Sequence, residues 1–239
     1  MSFIRLENIT KSFGSFIAND NINFEIEPGK IHAILGENGA GKTTLMNIIS
    51  GLYQPDSGQI YLHDKPVNIA SANTAIKLGI GTIYQHFMLV PQLSVTENII
   101  LGIDRNLHLN LKHKQQEIAD LSNSYGLEIN PQTKIADLPV GAQQRVEILK
   151  ILYRQAKLLI LDEPTAVLTP LEVKSLIQIL RQLAAAGNTI IFISHKLEEV
   201  INLCDTVTVL QRGKVVANKN IIETTSSELA TLMVGREIT

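Results

Sequence analysis

Gly36-Glu37-Asn38-Gly39-Ala40-Gly41-Lys42-Thr43 satisfies the pattern G-x-x-x-x-G-K-[ST] in full, and its neighbours give that pattern a setting. Ahead of it, Ile31-His32-Ala33-Ile34-Leu35 is short and mostly apolar, as a buried strand would be. Behind it, Thr44-Leu45-Met46-Asn47-Ile48-Ile49-Ser50 reads as helix, and Gly51 can close that helix. A chance glycine turn would not bring both flanks with it. The three glycines let the backbone wrap a polyphosphate with its N–H groups inward, at the positive end of a helix dipole. On this reading Gly36 to Thr44 cradle a nucleoside triphosphate, Lys42 reaches the β- and γ-phosphates, and the Thr43 hydroxyl sits on Mg²⁺.

Three further polar groups follow strand-like stretches. Asp162-Glu163 ends the apolar run Lys157-Leu158-Leu159-Ile160-Leu161, which Pro164 terminates. Adjacent carboxylates at a strand end point to different sides and can do different work. Asp162 is placed to hold the Mg²⁺ shell, and Glu163 to orient or deprotonate an attacking water. Gln85 follows Gly81-Thr82-Ile83-Tyr84, and His195 follows Thr189-Ile190-Ile191-Phe192-Ile193-Ser194. Polar residues just past strand C-termini face the ligand crevice of an open α/β sheet. There Gln85 could touch Mg²⁺ or the water, and His195 could hydrogen-bond a γ-phosphate oxygen. Singly each is an ordinary loop residue; in this order they form a set.

The series is completed by Leu138-Pro139-Val140-Gly141-Ala142-Gln143-Gln144-Arg145. From Phe3 to about Arg236 the chain resembles the nucleotide-binding domain of an ATP-binding-cassette (ABC) transporter. Two stretches narrow the resemblance: Tyr84 to Pro91, and Gln143 to Lys150 running on to Ala166-Val167-Leu168-Thr169-Pro170. Both are similar to the ATPase of bacterial simple-sugar and nucleoside importers, the nucleoside branch above all. The resemblance implies ATP and Mg²⁺ as cofactors and ATP hydrolysis as the reaction. Its implied partners are a second ATPase domain docked head to tail, separate membrane permease subunits and, indirectly, an extracytoplasmic solute-binding protein. It also implies a place on the cytoplasmic face of the membrane. In the branch concerned two such domains usually lie in tandem, and Leu232-Met233-Val234-Gly235-Arg236-Glu237 looks like the end of the first.

Composition agrees and excludes other classes. The 239 residues carry 21 basic and 23 acidic side chains, so no strong field recruits nucleic acid or anionic lipid. The single cysteine, Cys204, rules out an internal disulfide and a cysteine-rich metal site. No apolar run approaches the ~18–20 residues of a membrane helix. The start, Phe3-Ile4-Arg5-Leu6-Glu7-Asn8-Ile9, alternates like a strand rather than a signal peptide. Glycines at 36, 39 and 41 lack the G-x-G-x-x-G spacing of a dinucleotide-binding oxidoreductase. A phosphotransferase would leave the Leu138–Arg145 segment without a role. A ribosome- or DNA-directed ABC ATPase would be expected to carry basic patches, a second cassette on a charged linker, or zinc cysteines.

The element order predicts an α/β P-loop NTPase forming a single domain over 1–239. It would have a parallel core sheet, an N-terminal antiparallel sheet and a helical subdomain inserted at about 90–154. Strands are expected at Gln59–Leu62 and Val67–Ile69 around a turn at His63–Pro66. Helices are expected at Leu111–Tyr125, Gly141–Tyr153 and Pro170–Ala186. Phe13 or Phe16 could stack on adenine; Phe13 is preferred because Lys11-Ser12-Phe13-Gly14 resembles the family's local pattern. The apolar run His86–Val90 is ordinary core, or else lines a groove for a short helix of the membrane subunit, as the resemblance implies. Against the family's Leu-Ser-Gly-Gly-Gln, the signature segment Leu138, Pro139, Val140, Gly141, Ala142, Gln143 replaces serine by Pro139, the first glycine by Val140 and glutamine by Ala142.

Overall fold

The computed structural model describes residues 2–103 and 110–235. Arg236 and Glu237, at the end of the expected domain boundary, and 104–109, within the expected helical insertion, lie outside the described residues.

The N-terminal third alternates apolar and polar residues and folds into strands. β1 (Ile4–Phe13) and β2 (Phe16–Ile26) form an antiparallel pair; β3 (Ile31–Leu35) is apolar throughout and buried at every position. α1 (Lys42–Ile49) follows the glycine loop, and Lys42 already belongs to its first turn. β4 (Ser57–Leu62) and β5 (Lys65–Val67) make a hairpin. The turn is shorter than the sequence suggests, only His63 and Asp64, because both adopt positive φ (50° and 61°). Two left-handed residues make the two-residue turn whose twist suits a hairpin. Pro66 therefore falls inside β5, on the sheet edge, where its missing N–H is harmless.

α2 (Ala72–Lys77) is capped by the Ser71 hydroxyl and leads into β6 (Ile80–Ile83). The regular structure described between β6 and the next strand is helical: α3 (Val95–Ile100), α4 (Leu111–Ser124) and α5 (Val140–Tyr153). β7 (Leu158–Asp162), α6 (Pro170–Ala185), β8 (Thr189–Ser194) and α7 (Leu197–Leu203) follow. The chain continues through β9 (Thr206–Gln211), β10 (Lys214–Asn220) and α8 (Ser226–Val234). α6 starts sharply because Thr169 and Glu172 form a capping box and Pro170 occupies the first turn.

Two sheets result. One is antiparallel, in the order β2-β1-β4-β5; the other runs β10-β9-β3-β8-β7-β6, parallel except for β10. The central strands are covered on both faces, so the two-residue period splits each strand between two cores. Leu159 and Leu161 of β7, with Ile190 and Phe192 of β8, pack beside residues of α3 to α8. Leu158, Ile160, Ile191 and Ile193 pack with α1 and the antiparallel sheet. Parallel strands place their C-terminal ends along one edge, and there Leu35, Ile83, Asp162 and Ser194 deliver the loops that carry the polar groups.

Candidate functional site

The glycine loop is held in shape by its neighbours. Gly41 has φ 103°, and a Cβ there would stand 2.4 Å from Ala18 O and 2.7 Å from Asn19 Nδ2, so no other residue fits. Asn19, fully buried on β2, donates from Nδ2 to Gly41 O at 3.1 Å. Gly213, in the turn between β9 and β10, donates its N–H to Ala40 O at 3.0 Å. Lys42 is buried and folds back on its own loop, donating to Gly36 O at 2.7 Å and Glu37 O at 3.0 Å. Burial pulls its pKa below the usual lysine value, opposed by the charges of Glu163 and Asp162.

A cavity of about 420 Å³ opens over this loop. Asn38, Gly39, Gly41, Lys42, Thr43 and Thr44 form its floor; Gln85 and Glu163 enter from the ends of neighbouring strands. Phe16 and Ala18 of β2 complete the wall. Phe16 is 63% exposed and lines the cavity, whereas Phe13 stands edge-on to Tyr53, with ring centroids 5.4 Å apart. Of the two aromatics, the structure thus sets Phe16 in the cavity wall and Phe13 against Tyr53. Gly36, Glu37 and Ala40 shape the loop from outside the lining.

Asp162 is buried at the end of β7, and burial first, then repulsion from Glu163, raises its pKa to about 6 against the attraction of Lys42. Glu163 adopts φ 45°, held by its N–H on Ile193 O at 3.0 Å. That turn aims its Oε1 at His195 Nδ1, 3.0 Å away. His195 reaches the cavity through Glu163. A crowded carboxylate pair with one ammonium as local counter-charge, beside a threonine hydroxyl and a glutamine amide, is hard-oxygen chemistry that fits Mg²⁺. Mg²⁺ takes one or two carboxylates and completes its shell with water and phosphate. Among the described residues no cluster of three His, Cys, Asp or Glu side chains could hold a metal by itself, so Thr43, Gln85 and Asp162 suit only this shared type of site.

The signature residues lie elsewhere. Pro139 caps α5 without a side-chain bond, and Pro139, Gly141 and Ala142 line a separate groove with α6 residues Glu172 and Leu176. Gly141 N–H donates to Glu172 Oε1 at 3.0 Å. Gln143 Nε2 donates to Leu138 O at 2.9 Å. Val140 is 39% exposed. Next to Gln85, Met88 is 62% exposed while its backbone is clamped by α5: its N–H donates to Glu147 at 2.6 Å, and Lys150 Nζ donates to its carbonyl at 2.9 Å. Met88, Glu147 and Lys150 border a cavity of about 170 Å³ that extends to Tyr84 and Ile76.

Asn19, Glu147 and Glu172 escape sequence reasoning, because each acts through a contact between elements far apart in the chain. A family model described as ABC transporter matches residues 19–166. The chain belongs to the ABC transporter family. Guanosine import ATP-binding protein NupO of Bacillus subtilis is 52% identical over 237 residues, covering 98% of this chain and 46% of that protein. Nucleoside import ATP-binding protein NupA of Lactococcus lactis subsp. cremoris is 51% identical, covering 98% and 47%. The chain spans about half the length of these curated relatives. Among solved ABC structures, cbiO1 from Clostridium perfringens, part of the transporter complex cbiONQ, matches with a TM-score of 0.82 at 31% identity, covering 93% of this chain and 90% of that one. The ADP conformation of the ATP-binding cassette MJ1267 matches with a TM-score of 0.85 at 25% identity, covering 98% and 95%. No helix among the described residues is long and apolar enough to cross a membrane.

Proposed function

We propose that this ABC chain binds ATP with Mg²⁺ at the Gly36–Thr44 loop and hydrolyses it to drive import of a nucleoside or simple sugar. The observation that carries the reading is the cavity in which the phosphate loop, Lys42, Gln85 and Glu163 converge, with Asp162 beneath and His195 bonded to Glu163. Lys42 would leave its loop carbonyls for the phosphates, and the Gly39–Thr43 N–H groups would hold the phosphate oxygens. Glu163 accepts the proton of the attacking water, and His195 fixes the direction in which Glu163 points. Gln85 orients that water. Thr43, Gln85 and Asp162 would hold Mg²⁺, which when bound neutralises phosphate charge. Phe16, which lines the cavity, offers a ring face to adenine.

The import reading is supported by the names of the relatives and by the groove at Met88. An exposed, adaptable thioether beside a largely apolar groove lined by Ile76, Ile80 and Ile151 suits a short helix of a membrane permease. Separate permease subunits, a solute-binding protein on the far side and a second cassette are the partners of this reading, which seats the chain on the cytoplasmic membrane face. The test is Glu163→Gln. ATP·Mg²⁺ affinity should persist while hydrolysis falls by ~10²–10⁴-fold, the usual contribution of a general base. Turnover within a few-fold of the parent would remove Glu163 from that role.

A further inference from the structure

Glu199 is a buried carboxylate to which the reaction scheme above gives no task. It stands in the first turn of α7. Its Oε2 accepts the Thr165 hydroxyl at 2.7 Å and, more weakly, the Ser194 hydroxyl at 3.4 Å. Its Oε1 lies 3.1 Å from Lys196 Nζ. The ring closes through Ser194 Oγ, which accepts the Lys196 N–H at 3.0 Å, and through Lys196 Nζ, which also donates to Thr165 Oγ1 at 3.2 Å. Thr165 and Ser194 are buried, and Lys196 alone opens to solvent.

These groups belong to two different loops. Thr165 lies two residues beyond Glu163, in the turn closed by Ala166 N–H on Glu163 O at 3.2 Å. Ser194 and Lys196 bracket His195. Glu163 holds a left-handed backbone (φ 45°) that a glutamate keeps only when its surroundings impose it. One carboxylate therefore fastens the flank of each member of the Glu163–His195 pair. In a buried setting such a fully paired network is rigid, since releasing any member leaves a polar group unsatisfied.

We infer that Glu199 is a positioning residue: by locking the Glu163 turn to the His195 loop it sets the Glu163–His195 hydrogen bond, without touching nucleotide. The consequence for turnover rests on the ATPase reading; the geometric consequence does not. Glu199→Ala, Thr165→Val and Glu199→Gln separate positioning from plain structural support. Glutamine keeps an oxygen for the Thr165 hydroxyl and gives up only the half-exposed ion pair with Lys196, a kind of pair that contributes little. The imidazole ¹⁵N resonances of His195 in Glu199→Ala and Thr165→Val should move toward those of Glu163→Ala, while Glu199→Gln stays with the parent. With ATP, kcat should fall by roughly 10–100-fold in the first two variants, the scale of a small misplacement of a catalytic group, at unchanged ATP affinity. Glu199→Gln should recover most of it. His195 resonances that stay put in both Glu199→Ala and Thr165→Val would overturn the inference. So would a Glu199→Gln as impaired as Glu199→Ala. Thermal unfolding of each variant identifies a folding failure, in which case Thr165→Val, a near-isosteric change at the other end of the same bond, decides. The imidazole readout needs no nucleotide, so its failure counts against the positioning role alone, whereas a parent protein that never turns over ATP counts against the functional reading.

Discussion

Asp162 shows how a single residue of the site works against the fold that carries it. Its folded-state pKa of about 6 lies above the usual aspartate value, because burial and Glu163 disfavour its charge. Ionising it therefore destabilises the folded chain. That penalty is absent below ~4, the unfolded value, grows through the window up to about 6, and is complete above it. Asp162→Asn should accordingly stabilise the nucleotide-free chain at pH 7 by about 1–3 kcal/mol while removing a candidate Mg²⁺ ligand. Thermal unfolding at pH 7 and pH 4 measures it: a gain at the first that vanishes at the second. An unchanged or lower melting temperature at pH 7 would contradict the assignment of Asp162 as a strained functional carboxylate. At this scale the sequence is readable wherever a polar residue follows an apolar strand, since strand ends fix where such residues go. That is why Gln85, Asp162, Glu163 and His195 can be picked out beforehand. Asn19 cannot, because on β2 it looks like one more polar position, and only the packing of β2 against the loop gives it the Gly41 carbonyl.

Among elements, the junction of α5 and α6 depends on position 141 carrying no side chain. A Cβ on Gly141 would sit 2.5 Å from Glu172 Oε1 and 2.9 Å from its Cγ. Glu172 cannot simply swing aside, because its other oxygen accepts both the Thr169 N–H and hydroxyl at 2.8 Å. Alanine favours a helix over glycine by ~1 kcal/mol, whereas overpacking costs ~1–3 kcal/mol and losing a cap ~1 kcal/mol. Gly141→Ala should therefore destabilise the parent by about 1–2 kcal/mol. In a Glu172→Ala background the clash is gone and the helix preference remains, so the same change should become neutral or stabilising. Denaturant titrations of the four proteins test this, and equal effects in both backgrounds would show that Glu172 does not crowd Gly141. Element boundaries were legible to within a residue or two where caps are encoded: Thr169, Pro170 and Glu172 announce α6, and α4 and β8 lie where periodicity puts them. The β4–β5 hairpin was not, because Lys65-Pro66 reads as turn chemistry. The two left-handed residues ahead of it make the turn instead.

For the whole molecule, what matters is which surface the signature helix offers to another cassette. The family resemblance implies that each cassette's signature covers the ATP held by the other's phosphate loop, and the separate groove of Pro139 and Gly141 is consistent with work done outside this chain's own cavity. Here that helix is poor in donors. Pro139 has neither hydroxyl nor N–H, the Gly141 N–H is engaged by Glu172, and the N–H groups of Ala142 and Gln143 are turned onto Pro139 O at 2.9 and 3.0 Å. An ATP covered by this segment loses charge stabilisation of the kind whose removal typically costs ~10²–10³-fold in turnover per donor. The site built from Lys42, Asp162, Glu163 and His195 should then be competent when a partner supplies an intact signature. The opposite site, covered by Pro139, should be slow. A chain paired only with itself has two poor sites, so ATPase activity should rise when a cognate second cassette is added. It should rise in the isolated chain on Pro139→Ser, which restores a hydroxyl and an N–H at the helix terminus. An isolated chain that already turns over at ~1 s⁻¹, the low end for enzymes, with neither change raising it, would refute the asymmetry.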